Sequence, residues 1–279
     1  MSRPRSLLRR ALRISLGEPL RQRVERIERE AGGGYDCFGA HVEGTELGLA
    51  ATRFLYEVYF RVESRGIEHV PSEGAAVIAA NHGGMLPFDA AMLHTDIVRR
   101  TEPVRRPRTV ADQFVPKLPF FSTLVARSGV ISGSRRNVEH VLETGQLLLV
   151  FPEGTVGIGK PPSQRYRLQT WRGGHAELAM RFRVPVIPVA IVGPDDQWPQ
   201  IARLDKVHLF GAPYLPIPAT PIPLPVRYHI RYGEPLMLHE RVGTDVRDPD
   251  AINEAAALVK SRVQAMIDET VRERPGIFG

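Results

Sequence analysis

The chain has 279 residues, 43% of them hydrophobic, enough to bury one sizeable core, and its single cysteine excludes an internal disulfide framework and a cysteine-based zinc cluster. Its net charge of +6 is concentrated at one end: residues 1–31 carry nine Arg against four Glu, which leaves 28 basic and 27 acidic groups for residues 32–279. A charge held at one end excludes a basic groove running through the fold, and nucleic acid with it, and points to an arm that meets something anionic.

That arm, assigned to residues 1–34, places Leu7, Leu8, Ala11, Leu12 and Leu16 at helical spacing among Arg3, Arg9, Arg10 and Arg13. The pattern is that of a basic amphipathic helix. Three readings stand: a helix lying on an anionic membrane surface, a helix packed on its own domain, or an organelle transit peptide. Cys37, in YDCFGA, reads as a bystander thiol in a reducing, cytoplasmic setting.

Residues 35–279 read as one domain. Mixed three- and four-residue apolar spacing predicts a helix over 47–62, and helices follow at 89–99, 117–126, 134–144, 173–183 and 248–273. Between them lie β-rich runs at 75–80, 129–132, 146–151, 184–192 and 226–232. Near-continuous apolar strands alternating with helices imply an α/β fold, with a mixed, largely parallel sheet covered by helices on both faces. The longest run without Asp, Glu, Lys or Arg, residues 207–226, holds six prolines and is excluded as a spanning helix.

In such a sheet chemistry gathers beyond the carboxyl ends of strands. After AAVIAA comes Asn81-His82-Gly83-Gly84-Met85-Leu86-Pro87-Phe88-Asp89. Imidazole titrates near neutrality and can take a proton from a hydroxyl, while a carboxylate on its other nitrogen fixes the tautomer. The plainer reading has Asp89 capping the next helix and His82 in a turn. After QLLLVF comes Phe151-Pro152-Glu153-Gly154-Thr155, where proline ends the strand and Glu153 carries a carboxylate expected to open onto the same cleft. His175, Trp171, Trp198 and Tyr214 read as packing or interfacial residues, and His208, His229 and His239 lack metal-ligand spacing, so no metal is assigned. There is no G-x-S-x-G elbow, P-loop or G-x-G-x-x-G fingerprint.

Taken in this order, the two motifs resemble those of the glycerolipid (lysophospholipid) acyltransferase superfamily. The resemblance runs over about residues 55–235 and includes Gly129-Val130-Ile131-Ser132-Gly133-Ser134-Arg135-Arg136 and Val184-Pro185-Val186-Ile187-Pro188-Val189. It implies His82 as general base and Asp89 as its partner. It also implies an acceptor site at Glu153, Gly154 and Thr155, with Arg135 or Arg136 facing an acceptor phosphate. Guanidinium groups pair bidentately with phosphate, and these open a helix whose amide end favours anions.

Two departures stand out. Six residues separate His82 from Asp89 where the family commonly has four, a form that resembles the monoacylglycerol- and diacylglycerol-type branch. The FPEGT motif is commonly followed by Arg-Ser but here by Val156-Gly157, leaving Lys160 as the nearest cation and weakening the case for a lysophosphatidate acceptor.

The resemblance therefore implies an O-acyltransferase, without cofactor, that moves an acyl group from acyl-CoA or an acyl-carrier protein to a lipid hydroxyl. The amides near Gly83 and Gly84 are the expected oxyanion donors. The expected setting is cytoplasmic, peripheral to the inner face of a membrane. Two rivals use the same residues: a catalytically silent lipid-binding protein, and a thioesterase or lipid hydrolase.

Overall fold

The computed structural model describes residues 16–30, 34–111, 121–158, 160–204, 215–242 and 246–279. Two helices, α1 (Glu18–Glu30) and α2 (Val42–Phe54), precede the sheet, and α2 ends in a wider turn at Leu55–Tyr59. The chain then runs β1 (Glu63–Arg65), β2 (Ala76–Ala80), α3 (Phe88–Arg100), β3 (Arg108–Ala111), α4 (Phe121–Arg127), β4 (Val130–Ser132), α5 (Arg135–Glu143) and β5 (Leu147–Val150). It continues through α6 (Gly174–Phe182), β6 (Val186–Val192), α7 (Pro194–Gln197), β7 (Gln200–Leu204), β8 (Leu215–Pro218), β9 (His229–Tyr232), α8 (Leu238–Arg241) and α9 (Pro249–Glu273).

Seven strands form one sheet in the order β1-β9-β6-β2-β5-β3-β4, parallel except between β6 and β9, while β7 and β8 pair as a separate hairpin. Side chains alternate across a strand, and here both faces are apolar. On β2, Val77 and Ala79 join the core beneath α5, α6 and α9, whereas Ala76, Ile78 and Ala80 join the core beneath α3 with Phe60, Met92, Leu93 and Ile97. The carboxyl ends of β6, β2 and β5 thus emerge side by side at the middle of the sheet.

The expected strands and helices are present with shifted ends, and residues 117–120 of the helix expected over 117–126 lie outside the described residues. The helix expected over 47–62 instead spans Val42–Phe54, and β1, β3 and the β7–β8 hairpin were not foreseen. At α1 and just before it the apolar face turns inward: Leu16, Leu20, Val24 and Ile27 are at most 6% exposed and pack with Val42, Leu49, Val98 and Val104. Each such burial contributes about 1.5–3 kcal/mol. Arg23 fastens the helix by donating to the Val98 carbonyl at 2.9 Å, and Arg26 pairs with Glu102 at 2.5 Å. Of the leucine stripe expected over Leu7–Leu16, only Leu16 lies among the described residues, and it is a core residue. Residues 1–15, His208 and Tyr214 lie outside the described residues. No described helix is long and apolar enough to cross a membrane.

Candidate active site

Asn81 continues the ladder past the end of β2. Its amide donates to the Ile191 carbonyl at 2.9 Å and its oxygen accepts from the Ile191 amide at 2.7 Å, so the side chain stands in for a strand backbone and fixes where His82 leaves the sheet. Phe151, the first residue past β5, lies under the His82 ring with centroids 4.5 Å apart.

His82 Nδ1 and Asp89 Oδ2 are 2.6 Å apart, and Asp89 is fully buried. The same Oδ2 accepts from the Gly83 amide at 2.9 Å, and Oδ1 accepts from the Ala90 amide at 2.8 Å. Pro87, not Asp89, is the N-cap of α3; Asp89 lies in the first turn, where it takes up the free Ala90 amide and orients His82. Since the carboxylate accepts, Nδ1 carries the proton, and neutral imidazole then presents a lone pair at Nε2. Nε2 has no hydrogen-bond partner among the described residues, and the side chain stays 10% exposed. The six-residue spacer closes because Gly84 takes a φ of 82°, which glycine permits without penalty, while Leu86 loops outward at 47% exposure.

Glu153 does not open onto the cleft. Its side chain is 0% exposed: Oε1 accepts from the His82 amide at 3.1 Å, and Oε2 accepts from the Gln169 amide at 2.8 Å and pairs with Lys160 at 3.2 Å. Lys160, 2% exposed in its side chain, is spent on this buried pair. The amides of Gly83 and Gly84 are likewise committed, to Asp89 and, at 3.3 Å, to Asp195 Oδ1, which leaves neither for the expected oxyanion or substrate contact. Gly154 and Thr155 form the turn Gly154–Val156 beside Glu153, with Gly154 at a φ of 56°.

Arg135 and Arg136 are not brought to His82. They open α5 beyond β4, three strands from β2, or about 14 Å at the usual strand spacing. Arg135 pairs with Glu139 at 2.9 Å and Glu177 at 2.6 Å, and Arg136 is exposed. His175 and Trp171 are packed in the core, and burial pulls the His175 imidazole down to about 4. Trp198 donates its indole N–H to the Thr220 carbonyl. Among the described residues no group of three His, Cys, Asp or Glu could hold a metal ion.

Three site residues went unread in the sequence. Gly157 packs so closely on the His82 backbone and Glu153 that a Cβ would lie 2.9 Å from the Cβ of each. Asp195 stands just past β6. Arg172, exposed and tied through its amide to the Pro152 carbonyl, rests its guanidinium about Gly154, 3.6 Å from where a Cβ would be.

The profile of the family described as Acyltransferase matches residues 61–192, from just before β1 to the end of β6, so that both strand-end motifs fall within it. An uncharacterized protein of Mycobacterium tuberculosis is 34% identical over 236 residues, 81% of this chain and 66% of its own length. The Bos taurus protein named "DGAT1/2-independent enzyme synthesizing storage lipids" is 29% identical over 77% of this chain and 61% of its own. This chain belongs to the glycerolipid acyltransferase superfamily. It thus spans about two thirds of the length of these relatives. The acyltransferase fold is shared with the 1-acyl-sn-glycerophosphate (LPA) acyltransferase PlsC of Thermotoga maritima, at a TM-score of 0.57 and 18% identity over 84% of this chain and 82% of that one.

Proposed function

We propose that the protein moves a fatty acyl group from an acyl thioester, acyl-CoA or an acyl-carrier protein, to a glycerolipid hydroxyl, with His82 as general base. The observation that carries this reading is the 2.6 Å contact between His82 Nδ1 and a fully buried Asp89, with Nε2 left free of any partner among the described residues. Nε2 takes the proton of the acceptor hydroxyl as its oxygen attacks the thioester carbonyl. Asp89 holds the ring and offsets the imidazolium charge. The tetrahedral intermediate collapses by expelling the thiolate, and His82 returns the proton to sulfur, so no acyl-enzyme is needed.

The acceptor we favour is a neutral glyceride. Loops 84–88 and 154–158, on either side of His82, hold no charged residue, and Lys160 is already paired with Glu153. Arg172 is the observation that favours a second reading, a phosphate-bearing acceptor such as lysophosphatidate.

We further propose that the protein works at a membrane surface with this rim turned toward the lipid. Leu86, Val156, Ile201 and Ile222, from loops around the site and from the adjoining hairpin and proline-rich run, are 47%, 59%, 70% and 65% exposed. Those sites suit an interface. Five arginines at 3, 5, 9, 10 and 13 would add attraction to anionic lipid, about 1 kcal/mol each near the surface.

The test is an acceptor screen with purified protein, vesicles and labelled palmitoyl-CoA, offering monoacylglycerol, diacylglycerol, lysophosphatidate or water alone. Preferential labelling of the glycerides is expected. Preference for lysophosphatidate moves the reading to Arg172, release of free fatty acid alone makes the protein a thioesterase, and no turnover with any donor makes it a silent lipid binder.

A further inference from the structure

The loop that carries His82 offers three consecutive amides, and each is held by a carboxylate from a different element. The His82 amide donates to Glu153 Oε1 (3.1 Å), the Gly83 amide to Asp89 Oδ2 (2.9 Å) and the Gly84 amide to Asp195 Oδ1 (3.3 Å). Consecutive amides pointing one way form a concavity for anions. Here each amide is taken instead by one of the protein's own carboxylates, supplied from beyond β5, from the start of α3 and from beyond β6.

Asp195, like Glu153, bridges two segments. Its Oδ2 accepts from the Tyr166 amide at 2.8 Å, so one side chain ties the catalytic loop to the segment leading into α6. The fit leaves no slack: a Cβ on Gly83 would lie 2.4 Å from Asp195 Oδ1, and one on Gly84 would lie 3.1 Å from the Pro194 carbonyl. Lys160 offsets the clustered negative charge, pairing with Glu153 at 3.2 Å and acting on Asp195 as well. Burial pushes the Asp195 carboxyl up, against the pull of Lys160 and of the two amides. The neighbouring Asp196 holds the other end of the same tyrosine, accepting from the Tyr166 hydroxyl and pairing with Arg165 at 2.9 Å and Arg274 at 2.5 Å, and accepts from none of the His82–Gly84 amides.

We propose that Asp195 is a positioning residue that locks the His82–Gly84 loop in the shape that aims Nε2 at the acceptor. This rests on His82 being the base, and its first readout does not depend on turnover. Asparagine keeps the size of Asp195 but offers one acceptor oxygen, so it cannot serve both the Gly84 and the Tyr166 amides.

In full-length Asp195→Asn, amide hydrogen exchange of the peptide covering residues 82–84 should quicken at least tenfold while peptides from β2 and β6 stay as in the wild type. In the assay with labelled palmitoyl-CoA, kcat should fall at least tenfold with KM for the thioester within threefold. Asp196→Asn should lower the melting temperature without quickening exchange at 82–84. Should Asp195→Asn not fold, the wild type decides alone: its Gly84 amide is expected to exchange at least tenfold more slowly than that of Leu86 in the same loop. Wild-type exchange at 82–84 in Asp195→Asn, equal quickening in Asp196→Asn, or an unprotected Gly84 amide would overturn the assignment. Quickened exchange in a protein that transfers no acyl group would leave the lock standing and remove the proposed function.

Discussion

Gly157→Ala separates the demands of the fold from those of the site. Gly157 has a φ of −69°, a right-handed conformation that alanine adopts without strain, so the effect of the new methyl is steric. That methyl would lie 2.9 Å from the His82 Cβ, 2.9 Å from the Glu153 Cβ and 3.0 Å from the His82 carbonyl oxygen. Ordinary carbon contacts are about 3.5–4.0 Å, so His82 and Glu153 must each give by roughly 0.6 Å. Overpacking of this kind costs about 1–3 kcal/mol. In a chain of this size that is roughly 2–12 °C in melting temperature. A 1 Å misplacement at a reacting centre costs about 10²-fold, so about tenfold in kcat is expected here. Gly173→Ala is the matched control: φ is −71°, and its methyl would meet Ile252 Cγ2 at 2.7 Å, on α9 and away from His82. Both variants should melt earlier in a calorimetric scan, and only Gly157→Ala should lose turnover. If Gly157→Ala stays within twofold of wild-type kcat, or Gly173→Ala loses as much, His82 is not held against Gly157 in the way described.

Two further outcomes concern charge. Lys160→Met strips the cation from a buried pair with Glu153 and should cost about 3–5 kcal/mol, measured by denaturant unfolding. Adding Glu153→Gln should restore part of that loss, and a double variant no more stable than Lys160→Met would count against the pair. Burial pulls both His94 and His175 down to about 4, below the unfolded value near 6.5, so the unfolded chain binds more protons between these values. Stability is therefore full above pH 6.5 and falls as pH drops toward 4, by up to about 3 kcal/mol per histidine. Melting curves across that window should flatten in His94→Gln/His175→Gln, and an unchanged slope would place the acid sensitivity elsewhere.

The sheet was legible because β2, β5 and β6 are buried on both faces and read as unbroken apolar runs. β1 (ESR) and β3 (RTVA) were not, since short strands carrying Arg and Glu lack that signal, and Arg108 is buried by pairing with Asp36 at 2.5 Å and donating to Gln146 at 2.6 Å. His82 and Asp89 could be read because a strand end and a helix start fix where each side chain begins. Asp195 also follows a strand, but G-P-D-D looks like an ordinary turn. Gly157 was hidden because its need for a bare Cα comes from His82, 75 residues earlier in the chain. The stripe read in the arm ran from Leu7 to Leu16 and stopped short of α1, whose own apolar face of Leu20, Val24 and Ile27 was not singled out. Glu153 was placed correctly along the chain and misjudged in orientation, since nothing local in FPEGT tells that its two oxygens are taken by the His82 and Gln169 amides.

The measurement that bears most directly on the central claim is transfer of label from palmitoyl-CoA to a glycerolipid acceptor by the wild type and His82→Ala, run beside their melting curves. General-base catalysis contributes about 10²–10⁴-fold, so His82→Ala should lose at least about 10²-fold in turnover while melting within a few degrees of the wild type. A well-folded His82→Ala protein that keeps more than about a tenth of wild-type turnover would contradict the account.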